Sequence, residues 1–478
     1  VDAHSAYWSI ANRISYFYDF TGPSLAVDTA CSSSLTALHL ACQSLKRGEC
    51  DVSIVGAVNL ILHPKHYLRL CQMKMLAADD RCKSFGEGGD GFVDGEGVGA
   101  VLLKPLAQAL ADGDNVLGVI KASNINASGK TSGYTVPNPN TQAALIEETL
   151  RIGGIDPRTI GYVEAHGTGT ALGDPIEISG LTQAYRAFTS DRHYCAIGSV
   201  KSNVGHLESA AGLVGLTKVV LSMQHQQLVP SLHSERRNEH IDFEESPFYV
   251  QQELAPWHEP VIREDGREIR HPRRAGISSF GAGGANAHVI LEEYHSPDER
   301  CSQIEGDRQL IVLSARNQER LEAVVDRLID FLSRHWQEPE DAQAGRTLWA
   351  RNLSLANLAY TLQTAREAMA ERLAFTAQSI PQAIERLVRY KERGAEGSGC
   401  YTGSAKQSSF GADRLIKGKA GEAFLRAALE EQEYDRLAQL WVSGVDIDWT
   451  LLPRGAQVRR ISLPTYPFAR QRYWAAQA

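Results

Sequence analysis

One cysteine of this chain stands where a fold makes a thiol reactive. In Gly22-Pro23-Ser24-Leu25-Ala26-Val27-Asp28-Thr29-Ala30-Cys31-Ser32-Ser33-Ser34-Leu35, Leu25 and Val27 suggest a short strand that Asp28 and Thr29 break. From Ser33 onward apolar side chains recur at Leu35, Leu38, Cys42 and Leu45, the spacing of a helix with one buried face. Lys46-Arg47-Gly48 then reads as a helix stop. Cys31 therefore falls at or just before the first turn. Free backbone N–H groups and the positive end of the helix dipole point at its sulfur there and favour a thiolate. The same amides can hold the oxyanion of an attached acyl group. The competing reading is a small thiol packed at a helix start, since free cysteines are often buried. Two further segments carry a histidine among glycines at the end of a short apolar strand. They are Gly161-Tyr162-Val163-Glu164-Ala165-His166-Gly167-Thr168-Gly169-Thr170 and Ile197-Gly198-Ser199-Val200-Lys201-Ser202-Asn203-Val204-Gly205-His206-Leu207-Glu208. A thiol with imidazoles and an amine nearby has the makings of covalent acyl transfer.

The motifs around Cys31, around His166 and from Lys201 to Glu208, in that order, resemble those of condensing enzymes, in particular the ketosynthase domains of modular type I polyketide synthases. The resemblance runs from residue 1 to about Glu293. It implies a decarboxylative Claisen condensation, with Cys31 as nucleophile and His166 and His206 as neutral donors to the enolate. Lys201 would tune the charge and orient the histidines. The backbone N–H groups of Cys31 and Ala282 would form an oxyanion hole. Thr168 and Thr170 would bond a phosphopantetheine arm, with Phe85, Phe280, Gly281 and Gly283 bordering the substrate. The resemblance implies no resident cofactor and no metal; substrates arrive on the phosphopantetheine of an acyl carrier protein. It also implies a homodimer, with the Pro23–Asp28 stretch near the two-fold axis.

Three other readings stay open. A Cys–His–Asn hydrolase would use Cys31, His166 and Asn203, leaving His206 and Lys201 without a task. A thiolase-like acyltransferase needs a second cysteine as base, and none lies in the histidine motifs. A non-elongating or scaffold domain of the same assembly line is the third. His4, His39, His63, His193, His233 and His288 read as surface or core residues.

The elements that position these groups alternate between strand and helix, which predicts a layered α/β domain with a largely parallel sheet. Apolar stretches at 51–62, 98–103, 116–123, 162–164, 194–200, 248–250 and 275–291 read as strands, those at 33–46, 141–152 and 210–223 as helices, and Asp174-Pro175 as the opening of another helix whose first turn includes Ile176 and Glu177. His166, Lys201, His206 and the Gly281–Gly284 loop all follow strand ends, where α/β sites gather. The Gly- and Asp-rich stretch 86–97 invites a calcium or phosphate reading. It has neither a helix-spaced ligand set nor a Lys-Ser/Thr pair at a helix start, so it reads as a tight loop. By the resemblance, the domain is a thiolase-like α-β-α-β-α sandwich whose first half is incomplete. The chain opens with Val1 in a helical stretch (Tyr7, Ile10, Ile14, Phe17), so it is read as a fragment of a multidomain protein.

With 478 residues, a net charge of −8 and ordinary apolar and charged shares, the chain has the makings of two or three soluble domains. The charge argues against nucleic acid as a partner, and no apolar run is long enough for a membrane. Eight cysteines without a Cys-x-x-Cys pair fit reduced thiols in a cytoplasmic protein. Residues 294–308 read as a connector and 309–455 as a small α/β adaptor, with a long helix from Ala420 to Trp441. Its segment Leu358-Ala359-Tyr360-Thr361-Leu362-Gln363 and beyond resembles the adaptor that follows a polyketide ketosynthase. Ile461-Ser462-Leu463-Pro464-Thr465-Tyr466-Pro467-Phe468 resembles the linker that normally follows an acyltransferase. No Gly-x-Ser-x-Gly elbow occurs between the two. The resemblance therefore implies that a trans-acting acyltransferase loads the extender unit. Residues 456–478 are expected to run extended and wrap back on the ketosynthase, with Arg454, Arg459, Arg460, Arg470 and Arg472 offering a basic rim.

Overall fold

The computed structural model describes residues 6–264, 266–295, 307–336, 353–406, 418–455 and 458–472. Most of the connector 294–308, the loop 337–345, part of the Ser/Gly-rich stretch 394–411 and the terminal Tyr473-Trp474 lie outside them. The chain forms two compact units. The larger comprises 1–109 and 116–294, and the smaller comprises 110–115 and 295–478. The short stretch Leu110–Asn115 belongs to the smaller unit.

The large unit begins with α1 (Trp8–Tyr18), α2 (Ser33–Lys46), β1 (Ser53–Asn59), α3 (Lys65–Gln72) and β2 (Gly97–Leu103). β1 and β2 pair antiparallel as a separate two-stranded sheet. The predicted strand at Leu25–Val27 does not form: the stretch pairs with no strand among the described residues, and Leu25 is exposed. The stripe on α1 is helical as expected, yet Tyr7, Ile10, Ile14 and Phe17 face outward.

The second half supplies β3 (Val119–Ala127), α4 (Pro139–Gly153), β4 (Ile160–Glu164), α5 (Gly173–Arg186), β5 (Cys195–Gly198), α6 (Lys201–Val204), α7 (Ala211–His225), β6 (Phe248–Val250), β7 (Arg274–Phe280) and β8 (Ala285–Glu292). They build a six-stranded sheet in the order β3-β8-β7-β4-β5-β6. The run from β7 to β6 is parallel, whereas β3, β8 and β7 pair antiparallel. The sheet is therefore mixed rather than largely parallel. β7 and β8 are joined by the short Gly281–Gly284 loop, and a connection that short fits antiparallel neighbours only. Both faces are covered: Leu35 and Leu38 of α2 pack with Leu213, Leu216 and Val219 of α7 on one, and Ile146, Leu150 and Leu181 lie on the other.

A buried polar relay crosses this core. Tyr162 Oη donates to Glu164 Oε2 (2.8 Å) and accepts from Lys218 Nζ (2.7 Å), which also lies 2.9 Å from Glu164 Oε2. Glu164 Oε1 accepts the N–H of Val200 (2.6 Å), the residue before Lys201. The carboxylate at the end of β4 thus fixes the turn that delivers Lys201.

The small unit contains β9 (Gln309–Ala315), α8 (Gln318–His335), α9 (Leu355–Thr364), β10 (Glu371–Ala377), α10 (Ile380–Arg393), β11 (Tyr401–Ser404), α11 (Lys419–Glu430) and α12 (Tyr434–Val442). Its three strands are antiparallel in sequence order. The single helix predicted over 420–441 is two helices, broken where Gln432 turns left-handed (φ 53°) in an acidic run. The break lets Tyr434, Leu437 and Trp441 turn into the core. The described part of the C-terminal segment lies along this unit. Tyr466 Oη accepts the N–H of Arg316, and Arg327 and Arg320 donate to the carbonyls of Thr465 and Pro467. Arg454 bonds Gln363 and Arg460 pairs with Asp114, so these two are committed within the unit rather than offered as a rim.

Replacing Lys218 by Met leaves the Glu164 carboxylate buried without its cation. This is expected to lower the unfolding free energy by about 3–5 kcal/mol in urea titration. A K218M protein within 1 kcal/mol of the parent would remove the relay from any structural role.

Candidate active site

The turn before α2 is built by its own hydroxyls. Ser33 Oγ donates to the Ala30 carbonyl (2.6 Å) and accepts the Thr29 N–H (2.9 Å), while Ser32 Oγ donates to the Thr29 carbonyl (2.9 Å). Ala30 is forced left-handed (φ 54°), a strained conformation for a residue with a Cβ. That bend lifts Cys31 out of line just before the helix. The loop between β7 and β8 closes over it: a Cβ on Gly281 would collide with the Thr29 carbonyl oxygen. The close approach sets the Ala282 backbone near the Cys31 sulfur, where its amide and that of Cys31 itself work to lower the thiol pKa.

His166 and His206 come from the ends of β4 and α6, and their rings meet edge to face with centroids 5.6 Å apart. One nitrogen of each and the Cys31 sulfur lie within 4.8 Å of one another. Nδ1 of His206 accepts the N–H of Glu208 (3.0 Å), and Nδ1 of His166 accepts that of Phe280 (3.4 Å). An imidazole that accepts at Nδ1 carries its proton at Nε2. Nε2 of His206 is buried without a hydrogen-bond partner. A substrate oxygen placed there would accept its proton. Burial first, and then the Lys201 charge, hold both imidazoles well below their ordinary range, so they are neutral at pH 7.

The loop after His166 is pinned from below by two buried carboxyls. Glu177 accepts the N–H groups of His166 (2.7 Å) and Gly167 (2.8 Å); Asp174 accepts those of Phe85 (2.7 Å) and Gly169 (3.1 Å). Burial pushes Glu177 up to about 7 and Asp174 to about 6. Neither was singled out from sequence, where Asp174-Pro175 read only as a helix opening; two acids one turn apart after a Gly-rich histidine loop were the signal. Lys201 is buried, and burial lowers its pKa, while Glu164, Glu177 and Cys31 pull the other way.

These groups open on a cavity of about 1690 Å³ whose lining includes Cys31, Thr168, Thr170, Phe280, Gly281 and Ala282. Thr168 and Thr170 hydroxyls lie 3.2 Å apart. Two predicted substrate neighbours stand elsewhere. Phe85 is fully buried behind the His166 loop, edge-on to Phe243, and Gly283 faces the Tyr134 hydroxyl. The aromatic that touches His206 is Phe92, at 4.7 Å between centroids, from the loop read only as a tight turn.

Comparison with known proteins identifies the family. Residues 2–109 and 117–235 match the N- and C-terminal domains of β-ketoacyl synthases, and 312–394 match the RhiE-like KS-MAT linker domain. A ketosynthase from module 6 of the bacillaene synthase of Bacillus subtilis 168 superposes with a TM-score of 0.87 at 41% identity, covering 99% of this chain and 78% of that one. The chain belongs to the ketosynthase family of polyketide synthases. The oxazolomycin ketosynthase domain OzmH KS7 of Streptomyces albus JA3453 gives a TM-score of 0.82 at 45% identity, covering 98% and 74%. Polyketide synthase PksL of Bacillus subtilis is 50% identical over 468 residues, 98% of this chain and 10% of that protein. The chain thus spans about a tenth of the length of that curated relative. No described helix is long and apolar enough to cross a membrane.

One expectation is reversed in this ketosynthase. The helix start was predicted to favour a Cys31 thiolate, yet burial pushes the thiol up to about 11, with Lys201 the leading opposing influence. A raised pKa means the reactive form grows as pH rises. Alkylation of Cys31 by iodoacetamide should climb about tenfold per unit between pH 7 and 9; a plateau below pH 8 would contradict this. Separately, Gly281→Ala should displace the Ala282 amide and slow acylation by about 100-fold, read by intact-mass kinetics.

Proposed function

We propose that this ketosynthase catalyses acyl transfer to Cys31 followed by decarboxylative Claisen condensation with a malonyl-type extender on a carrier protein. The observation that carries the proposal is a pair of imidazoles from two distant motifs, each facing a backbone N–H at Nδ1, with one ring nitrogen apiece beside one sulfur. In the first step Cys31 attacks a carrier-bound thioester, and the amides of Cys31 and Ala282 hold the oxyanion. The carrier leaves as its thiol, taking up the proton that Cys31 gives. In the second step the malonyl thioester loses CO2, and His166 and His206 donate to the enolate oxygen that forms. The enolate carbon attacks the acyl group on Cys31. The C–S bond breaks, the Cys31 sulfur regains a proton, and the β-keto thioester departs on the carrier. Decarboxylation generates the carbanion, so two neutral donors suffice where a strong base would otherwise be needed.

The partners that fit this reading are an acyl carrier protein with its phosphopantetheine arm, a trans-acting acyltransferase and a second copy of the chain. Thr168 and Thr170 lie on the cavity wall where an arm would pass. The exposed apolar faces of α1 and Leu25 suit an interface of a homodimer. The hydrolase alternative finds no support, because Asn203 is exposed and hydrogen-bonded to Ser202 while backbone groups orient both imidazoles.

The test separates the steps. With an acyl thioester and a malonyl-carrier, Cys31→Ala should abolish acylation. His166→Ala and His206→Ala should still acylate but lose about 100-fold or more in decarboxylation. Because both rings are neutral, wild-type decarboxylation should stay level from pH 8 to pH 6. Hydrolysis of acyl-Cys31 without a β-keto product, or histidine variants that condense at the parent rate, would defeat the proposal.

A further inference from the structure

A second cluster of ligating side chains lies beside the catalytic one. His66 on α3, Asp94 in the loop before β2 and Glu208 just after His206 converge from three separate segments. His66 Nε2 is 3.2 Å from Asp94 Oδ2 and 3.1 Å from Glu208 Oε1, and all three donor atoms lie within 4.8 Å of one another. The Asp94 side chain is fully buried, and neither of its carboxylate oxygens accepts a hydrogen bond of acceptable geometry. A buried carboxylate without hydrogen bonds is expensive, and here a second carboxylate faces it. One imidazole N–H cannot satisfy both acids.

We propose that His66, Asp94 and Glu208 form a binding site for a single divalent transition cation of the zinc class. An imidazole nitrogen with two carboxylate oxygens suits zinc or cobalt better than magnesium or calcium, which prefer all-oxygen shells. Ligand atoms 3.1–3.2 Å apart need only a small outward shift to surround an ion at about 2.0–2.2 Å. The fourth position is free for water. His66 and Glu208 line the active-site cavity, so an ion has a route in. The location gives the ion a consequence. The Glu208 N–H orients His206, Glu208 is itself held left-handed (φ 39°), and the Asp94 backbone bridges to His206. An ion on the Asp94 and Glu208 carboxylates would clamp the frame in which His206 sits, making these positioning residues.

The experiment uses the full chain carrying Cys31→Ala, which removes the thiol of the neighbouring cluster, and titrates it with Co2+ alone. One equivalent should bind and produce the visible absorption of four-coordinate cobalt without a thiolate band. Asp94→Asn and His66→Gln should each weaken binding by about tenfold or more. His66 is partly exposed, so if Asp94→Asn fails to fold, His66→Gln alone carries the decision. Absence of saturable binding, or binding that survives these changes and disappears with His166→Ala, overturns the site.

Discussion

The site depends on where two imidazoles keep their single proton. A neutral histidine donates from one nitrogen and accepts at the other, and what occupies the second decides the first. Here backbone N–H groups of Glu208 and Phe280 occupy Nδ1 of His206 and His166. Both rings are left with Nε2–H as their polar output on the reaction side. A strand end and a short helix bring the two rings together, and a third element brings the sulfur. The surrounding structure preserves this arrangement: Glu177 and Asp174 hold the His166 loop by its amides, Glu164 holds the turn before Lys201, and the Gly281 loop lies against the nucleophile turn.

Burial sets the electrostatics, and it acts in one direction on every member. It disfavours charge on Cys31, His166, His206, Lys201, Asp174 and Glu177 alike. For the imidazoles this is useful, since a neutral ring is a donor without a net charge to compensate. For the thiol it works against the helix start, and the Lys201 charge only partly offsets it. The balance suits a site whose nucleophile rests as the thiol and whose hydrogen-bond donors are fixed before substrate arrives.

The motifs were legible because they are local. A strand exit, a Gly-rich loop and a helix start each fit in a dozen residues, and Cys31, His166 and His206, each singled out by its own motif, lie together in the structure. Most strands and helices of the large unit followed from periodicity as well. Features that depend on a distant partner were not legible. The antiparallel half of the sheet, the unpaired stretch at Leu25–Val27 and the reversal at Cys31 all depend on what lies alongside in space. Phe92 was missed for the same reason, since only the path of the Gly-rich stretch brings its ring, and not that of Phe85, against His206. The break at Gln432 had a local cause, but an acidic run does not by itself specify a left-handed residue.

The most direct measurement is the tautomeric state of the two catalytic rings, read by long-range proton–nitrogen correlation in protein labelled with nitrogen-15 histidine and assigned with His166 and His206 variants. The account predicts neutral rings protonated at Nε2 for both at pH 7. An Nδ1–H tautomer or an imidazolium at either position would contradict it, because that ring could not present a neutral donor to an enolate oxygen.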